Sequence, residues 1–281
     1  MNNLKGKAIV ITGAASGIGR ALAQHAARDG ARLLLADIQA HALEDLAASL
    51  RESGCECHTL VTDTGNEAAI AALAEESVRV FADQGGADVL VNNAGVALTS
   101  PVHSLQTADA QWLMNINFWG VVHGCRLFLP QMQRRPDALI VNISSIFAMV
   151  SMPTQSIYNA AKAAVRAFSD ALREELRGSS VKVLCVHPGG IRTNIARAGR
   201  MEDVSMIADS PAAIVEQFER EARTSPEQAA AAIVHAITHG KTRLMIGPDA
   251  VLFDWLYRLF PTRVSAWFYK LAQWARKHRK S

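Results

Sequence analysis

The sequence predicts an α/β fold in which a parallel sheet of seven strands is covered by helices on both faces. Short apolar runs alternate along the chain with longer segments of helical apolar spacing, as they do in repeated β-α units. Several runs, such as Ala8-Ile9-Val10-Ile11, are apolar at every position, which is typical of strands buried on both faces. The first run leads directly into a glycine-rich turn. In doubly wound sheets of this kind, ligands bind at the carboxyl ends of the strands.

The individual elements follow from this alternation. The predicted strands are residues 7–12, 32–38, 57–62, 88–92, 138–144, 181–186 and 244–246. The predicted helices are residues 17–29, 40–53, 67–82, 107–132, 155–177 and 226–238. No internal repeat or low-complexity linker interrupts the 281 residues. The simplest partition is therefore one domain, residues 1–250, followed by a helical C-terminal appendix, residues 251–281.

The composition excludes several classes of protein. Apolar residues make up 49% and charged residues 20% of the chain, so it can bury a core and is not disordered. The net charge of +3 is too small to indicate a nucleic-acid partner. The four cysteines lack zinc-site spacing, so we expect reduced thiols and no metal. We expect a cytoplasmic protein, because no apolar run is long enough to span a membrane and the early first strand leaves no room for a signal peptide.

The glycine-rich turn predicts a dinucleotide site. It lies between the first strand and the first helix, where backbone N–H groups and the helix dipole favour a pyrophosphate. A tight strand-to-helix turn is the simpler alternative, but the placement in a β-α-β unit favours the dinucleotide. Asp37 ends the second strand, where a carboxylate can bind both ribose hydroxyls and would repel a 2′-phosphate. The cofactor contacts predicted here are Gly13, Ser16, Gly17, Ile18, Gly19 and Asp37.

Tyr158 and Lys162 are four residues apart, so they share one face of a predicted helix. A nearby ammonium stabilises a phenolate and lowers the pKa of the tyrosine. Taken alone, such a pair is usually an ordinary surface pair. Together with the glycine spacing and Asn92-Asn93-Ala94-Gly95, however, it makes residues 7–249 resemble the short-chain dehydrogenase/reductase family, which has a Rossmann-like fold.

The resemblance implies four catalytic roles. Tyr158 is the acid/base, and Lys162 lowers its pKa and holds the nicotinamide ribose. Ser145 orients the alcohol or carbonyl, and Asn117 positions a water for the proton relay. Ser144 is the competing serine, but it falls outside the family spacing and would point to the opposite face of its strand.

The resemblance also implies further cofactor contacts. Asp63 and Thr64 would meet the adenine, and Asn93 would border the adenosine ribose. Ile191 and Thr193 would contact the nicotinamide carboxamide. His187 is expected to be structural.

The substrate pocket is expected between residues 146–157 and 197–211. The first of these segments is mainly apolar and offers Gln155 as a polar handle, which suits a small hydrophobic alcohol or ketone. Alternatively, some of its apolar side chains belong to the core. Because Arg197 and Arg200 could bind phosphate groups, a phosphorylated or coenzyme A substrate is an alternative.

We therefore predict an NAD-dependent oxidoreductase that interconverts a hydrophobic secondary alcohol and its ketone, as a homodimer or homotetramer. An NADPH-dependent carbonyl reductase of the same fold is the nearest alternative. It is disfavoured because Ser16 and Ile38 stand where basic residues often bind the 2′-phosphate. A non-catalytic dinucleotide-sensing protein is a further alternative.

The appendix is basic and aromatic. Residues 251–281 hold eight of the seventeen aromatic side chains, and seven lysines and arginines against one acid. Pro261 should end a first helix. A second helix would carry an apolar stripe, which is Val264, Trp267, Phe268, Leu271 and Trp274 or Ala275. The stripe suits packing on a subunit, covering of the pocket, or peripheral contact with a membrane. Our hypothesis is that the appendix narrows access for an apolar substrate and also docks on anionic lipid.

Overall fold

The computed structural model describes the backbone of residues 1–277 and the side chains of residues 1–270. Nine strands occur in this part of the chain: β1 (Ala8–Thr12), β2 (Arg32–Asp37), β3 (Cys57–Val61), β4 (Val89–Asn92), β5 (Leu98–Thr99), β6 (Ala138–Ile143), β7 (Val181–Pro188), β8 (Arg200–Met201) and β9 (Arg243–Ile246). The α-helices are α1 (Gly17–Arg28), α2 (Ala40–Glu52), α3 (Glu67–Val80), α4 (Thr107–Met114), α5 (Gly120–Met132), α6 (Ser156–Glu175), α7 (Pro211–Glu221), α8 (Pro226–Thr238), α9 (Pro248–Leu259) and α10 (Val264–Lys277).

Seven strands form one parallel sheet in the order β3-β2-β1-β4-β6-β7-β9. This is the predicted doubly wound, Rossmann-like arrangement, because the order reverses between β1 and β4. Neighbouring strands pair in continuous register, with Ile11 opposite Leu35 on one side and Val91 on the other. A reversal of strand order of this kind places a ligand crevice at the carboxyl ends of β1 and β4.

The core consists of two apolar layers, one on each face of the sheet. Ile9 and Ile11 of β1 face the layer that contains α1, α2 and α8. Ala8 and Val10 face the layer that contains α3, α5 and α6. Successive side chains of a strand point to opposite faces, so a run without polar residues is required where both faces are covered.

Three features differ from the sequence prediction. The predicted helix 107–132 is interrupted by a π-helix, Asn115–Trp119, between α4 and α5. The short strands β5 and β8 pair in a separate two-stranded sheet. Helix α7, for which no helix was predicted, follows the predicted substrate loop at residues 197–211. Among the described residues, no helix is both long and apolar enough to cross a membrane.

Candidate active site

The turn after β1 is shaped by glycines that cannot be replaced without a clash. Gly13 and Gly17 have φ values of 65° and 52°, where residues with a Cβ are strained. A Cβ on Gly19 would lie 2.2 Å from the carbonyl oxygen of Gly13. The Ser16 side chain makes no capping hydrogen bond at the start of α1. Uncapped N–H groups at a helix N-terminus are suited to bind a phosphate.

Asp37 lies against this turn at the end of β2. Its carboxylate is 6% exposed and accepts hydrogen bonds from the backbone N–H groups of Ala15 and Gln39, both at 2.9 Å. The neighbouring Ile38 is 63% exposed. An acid and an apolar side chain thus lie beside the turn. None of Ala15, Asp37, Ile38 and Gln39 is a cation that could attract a 2′-phosphate.

The loop after β4 is fastened to the same turn. The Nδ2 atom of Asn93 donates to the carbonyl oxygens of Thr12 and Gly13 at 2.9 and 3.0 Å. The hydroxyl of Thr12 accepts from the N–H groups of Asn93 and Ala94 at 3.0 and 3.1 Å. Asn93 therefore holds two ligand-facing loops in one rigid arrangement. The sequence did not predict these contacts of the Thr12 hydroxyl.

Two further predicted cofactor residues follow β3. Thr64 is buried and Asp63 is exposed. The Oδ1 atom of Asp63 accepts from the N–H group of Gly65 at 2.8 Å. Thr64 and Ala94 line a narrow cleft with Ile116, so the ends of β3 and β4 face each other across it.

The ends of β6 and α6 bring Ser145, Tyr158 and Lys162 together. Ser145 is hydrogen-bonded through its side chain to Tyr158. The buried Lys162 places its Nζ atom 5.8 Å from the centroid of the Tyr158 ring and donates to the carbonyl oxygen of Ile143 at 3.0 Å. Ser144 instead donates to the backbone carbonyl oxygen of Lys162 at 2.8 Å, so it fastens the end of β6 to α6.

The electrostatics of this group differ from the expectation that Lys162 lowers the pKa of Tyr158. Burial raises the pKa of the Tyr158 phenol to about 12, although the hydrogen bond with Ser145 acts in the opposite direction. Burial also lowers the pKa of Lys162 to about 8. The reason is that both charged forms lose hydration, while the ammonium is directed to the Ile143 carbonyl and does not touch the phenol oxygen.

Asn117 lies in the π-helix, fully buried. Its side chain accepts from the N–H group of Val96 at 2.8 Å and donates to the carbonyl oxygen of Val96 at 2.9 Å. A Cβ on Gly95 would lie 3.3 Å from Asn117 Oδ1 and 3.4 Å from Lys162 Nζ. Asn117 Oδ1 and Lys162 Nζ thus both approach the same face of Gly95, and π-helical turns are frequent at functional sites.

The loop after β7 completes the edge of the site. Ile191 is 4% exposed and pairs with Thr224. A Cβ on Gly17 would lie 3.1 Å from Thr193 Cγ2, so Thr193 reaches the glycine turn beside a cavity of about 600 Å³. Asp249, which the sequence prediction missed, accepts from the N–H group of Gly190 at 2.7 Å.

His187 of β7 is buried, in keeping with the expected structural role. It is 1% exposed, and its Nδ1 atom lies 3.3 Å from the carbonyl oxygen of Ser145. Burial lowers the pKa of His187 to about 4. The ring is therefore neutral at pH 7 and helps to fix the backbone of Ser145.

Polar side chains on the predicted substrate side already have partners within the protein. Gln155 donates to the hydroxyl of Thr99 at 2.8 Å, so this polar handle is already paired. Arg200 stacks on the ring of Trp112, 3.8 Å from its centroid, and pairs with Asp109.

The second arginine of this side is paired as well, since Arg197 pairs with Glu219 at 2.7 Å. Because Arg197 and Arg200 both have carboxylate partners, this side of the site has little free positive charge for a phosphorylated substrate.

The appendix packs behind this pocket. Met149 and Val150 are buried in a cluster with Ala250 and Val264, so this part of segment 146–157 is core. The ring of Phe268 lies 6.3 Å from that of Phe147. Phe147 in turn lies edge-on to Tyr158 at 6.2 Å.

The predicted apolar stripe of the second helix is therefore divided. Val264 is fully buried and Phe268 packs against the same cluster, whereas Trp267 is 41% exposed. The side chains of Leu271, Trp274 and Ala275 lie outside the described residues.

The arrangement fits a nicotinamide dinucleotide. The glycine turn and the loop after β4 approach so closely that a Cβ on Gly13 would lie 2.8 Å from the Cα atom of Ala94. This leaves a backbone-lined cradle at the start of α1, with Asp37 at one end and the Tyr158–Lys162 pair at the other. Such a cradle matches an extended ligand with a central pyrophosphate.

Comparison with known proteins identifies the class. A family model described as short chain dehydrogenase matches residues 7–203. The putative oxidoreductase SadH of Mycobacterium tuberculosis is 38% identical over 283 residues, a match that covers 98% of this chain and 100% of SadH. The chain therefore belongs to the short-chain dehydrogenase/reductase family, as its motifs predicted, and is an oxidoreductase of that family.

Solved structures of the family share the fold. A short-chain dehydrogenase/reductase from Burkholderia phymatum in complex with NAD is 31% identical, with a TM-score of 0.82 over 93% of this chain and 98% of that one. L-Sorbose reductase from Gluconobacter frateurii, complexed with NADPH and L-sorbose, is 28% identical, with a TM-score of 0.75 over 88% and 97% of the two chains. One of these two relatives holds NAD and the other NADPH.

Proposed function

We propose that this protein is an NAD-dependent dehydrogenase that interconverts a hydrophobic secondary alcohol and its ketone. The observation that carries the proposal is the meeting of Ser145, Tyr158 and Lys162 at the same sheet edge as the glycine turn. Asp37 beside the turn supports NAD over NADP, because its carboxylate would repel a 2′-phosphate. The apolar side chains around Phe147 and Tyr158 support a hydrophobic substrate.

In this proposal each side chain has a defined task. A bound nicotinamide supplies the hydride acceptor or donor. Tyr158 exchanges the hydroxyl proton at its phenol oxygen, and Ser145 holds the substrate oxygen beside it. Lys162 lies 5.8 Å from the centroid of the phenol ring, where its positive charge would favour the phenolate once formed, and it would hold the nicotinamide ribose. Asn117 positions a water for the proton relay.

The remaining predicted contacts would hold the two nucleotides. Gly13, Ser16, Gly17, Ile18 and Gly19 would surround the pyrophosphate, with Asp37 on the adenosine ribose. Asp63, Thr64 and Asn93 would border the adenosine, and Ile191 and Thr193 the carboxamide.

The test is a survey of hydrophobic secondary alcohols and their ketones, each with NAD and with NADP, followed by the absorbance of the reduced nicotinamide. Tyr158→Phe should lower turnover by about two to four orders of magnitude, the range for loss of a general acid–base. Its affinity for NADH, read by fluorescence, should change little. Turnover near that of the parent protein in Tyr158→Phe would contradict the assignment.

A second candidate is an NADPH-dependent carbonyl reductase. The raised pKa of Tyr158 favours it in one respect, because a protonated phenol is ready to donate to a carbonyl oxygen. Asp37 and the exposed Ile38 argue against NADPH. The same survey separates the two candidates by the cofactor that gives the higher kcat/KM.

We also propose that the protein acts in the cytoplasm as a homodimer or homotetramer. Light scattering of the purified chain measures the assembly, and fractionation of cells that express it measures the location.

A further inference from the structure

An uncovered apolar face lies on the appendix. Of the twelve large apolar side chains that are exposed among the described residues, six fall in the short stretch from Val251 to Trp267. They are Val251, Leu252, Trp255, Leu259, Phe260 and Trp267, between 41% and 64% exposed. A contiguous exposed apolar patch marks an interaction site.

Helix α9 packs against the protein on one side and is exposed to solvent on the other. Ala250 and Asp254 are buried, whereas Val251, Trp255 and Leu259 recur at every fourth residue and so form one stripe. Phe260 extends this stripe to α10, because its ring contacts that of Trp267 at 5.1 Å. The six side chains thus form one surface, which we call the α9–α10 face.

The charges around the α9–α10 face have one sign. Arg258, Arg263 and Lys270 are exposed. Asp254 is the only acid of residues 251–281, and it is buried in ion pairs with Arg243 at 2.5 Å and with Arg258 at 3.2 Å. Arg263 and Lys270 are therefore the cations that contribute net positive charge. Tryptophan among apolar and cationic side chains is the composition of helices that lie in the interface of an anionic bilayer.

A second copy of the chain fits this face poorly. A two-fold interface brings the same surface of both protomers together. The exposed cations Arg258, Arg263 and Lys270 of the two copies would then be brought together, and charged residues are depleted at the centres of protein interfaces. An anionic bilayer satisfies the apolar and the cationic parts together.

We propose that the α9–α10 face is a docking surface for bilayers that contain anionic phospholipid. The buried side of the same two helices contacts the pocket, because Phe268 lies between Phe253 and Phe147. Docking would therefore bring the pocket close to the bilayer, in which hydrophobic alcohols and ketones dissolve. This consequence rests on the proposed function, whereas lipid binding does not.

The experiment is co-sedimentation of the full-length protein with vesicles of phosphatidylcholine alone and of phosphatidylcholine mixed with phosphatidylglycerol. The protein should bind the mixed vesicles, and high salt should weaken binding by screening. Trp255→Ser with Leu259→Ser should lower binding by at least about tenfold, since apolar burial is lost. Arg263→Glu with Lys270→Glu should lower it by about 25-fold or more, because each cation near an anionic surface contributes roughly fivefold.

Matched controls lie elsewhere on the surface. Val78→Ser removes an exposed apolar side chain from α3, and Lys241→Glu reverses an exposed charge outside the appendix. Both controls should bind like the parent protein. Tyr158→Phe should also bind normally, so a failure of the proposed function would leave the lipid result intact.

Three results would overturn the docking surface. They are no binding of the parent protein to mixed vesicles at low salt, equal binding by the substituted proteins, and a dimer that dissociates on Trp255→Ser with Leu259→Ser in light scattering. The last result would assign the face to a second copy of the chain.

Discussion

Tyr158 and Lys162 form a buried pair of titratable groups, and the pair can lose its first proton from either group. The loss produces either a neutral lysine beside a phenol or an ammonium beside a phenolate. Both forms contain the same number of protons, so their ratio does not change with pH. The phenolate is the form that accepts a proton from an alcohol, and it is reached once the pair has lost one proton.

We therefore expect kcat/KM for alcohol oxidation to rise with pH up to the pKa of Lys162, about 8, and then to level off. Lys162→Met leaves only the phenol to titrate, with its pKa raised to about 12 by burial. Its oxidation rate should be low at neutral pH and still rising where the parent protein is level. Identical pH profiles for the two proteins would show that Lys162 does not govern the phenol. The measurement is the pH dependence of initial rates.

Asp37 carries the residue-scale prediction for the cofactor. The parent protein should have a kcat/KM with NAD at least tenfold above that with NADP, equivalent to about 1.4 kcal/mol. Asp37→Ala should shrink this ratio mainly by improving NADP, because repulsion of the 2′-phosphate is relieved. Asp63→Ala is the control, since Asp63 is proposed to contact the adenine, which NAD and NADP share, so its loss should affect both cofactors alike and leave the ratio unchanged. A parent protein that prefers NADP would refute the assignment.

At the scale of elements, apolar periodicity predicted the strands and helices whose burial is regular. It failed for elements whose conformation depends on tertiary contacts. The central strands were predicted because they are covered on both faces and are therefore largely apolar, as in β1, where all five residues are buried. Strands β5 and β8 contain two residues each, too few for any pattern. The π-helix at Asn117 has no signal in apolar spacing. There the Asn117 amide binds the Val96 backbone, a contact between segments far apart in sequence.

The attachment of α9 gives an element-scale prediction about stability. Burial raises the pKa of Asp254, but hydrogen bonds from Arg243 and the charges of Arg243 and Arg258 outweigh it, so the net shift is downward. Asp254→Asn should lower the free energy of unfolding by about 1–3 kcal/mol at neutral pH, because Arg243 loses its charged partner.

A carboxylate with a lowered pKa stabilises the fold above its ordinary pKa, and this contribution is lost as pH falls through the folded-state value. The difference between Asp254→Asn and the parent protein should therefore shrink in acid, below about pH 4. Glu174→Gln is the control, since its pair with Arg177 is exposed and should contribute less than about 0.5 kcal/mol. Urea unfolding monitored by circular dichroism provides the values, and equal losses for both variants would contradict the prediction.

At the scale of the whole molecule, the site could be predicted because parallel strands gather their carboxyl ends at one edge. Asp37 ends β2, and Asn93 and Ser145 follow β4 and β6, so all three lie along the same edge of the sheet. Contacts from outside the regular β-α units could not be predicted. Asp249 binds the loop after β7 from the first turn of α9, and the packing of α10 on Phe147 depends on how the whole appendix folds back.

That packing gives a prediction about substrate length. Phe268 supports Phe147, which lies edge-on to Tyr158, so Phe268→Ala would loosen the apolar wall beside the reacting oxygen. We expect KM for long hydrophobic alcohols to rise by about tenfold, as expected when roughly 1.4 kcal/mol of apolar contact is lost. Short alcohols, which do not reach this wall, should change little. Tyr269→Ala is the matched control, because Tyr269 is adjacent on the same helix and makes no ring contact with Phe147 among the described side chains. An equal rise in KM for short and long alcohols would show that Phe268 acts on general stability, because an effect on the pocket wall must depend on chain length.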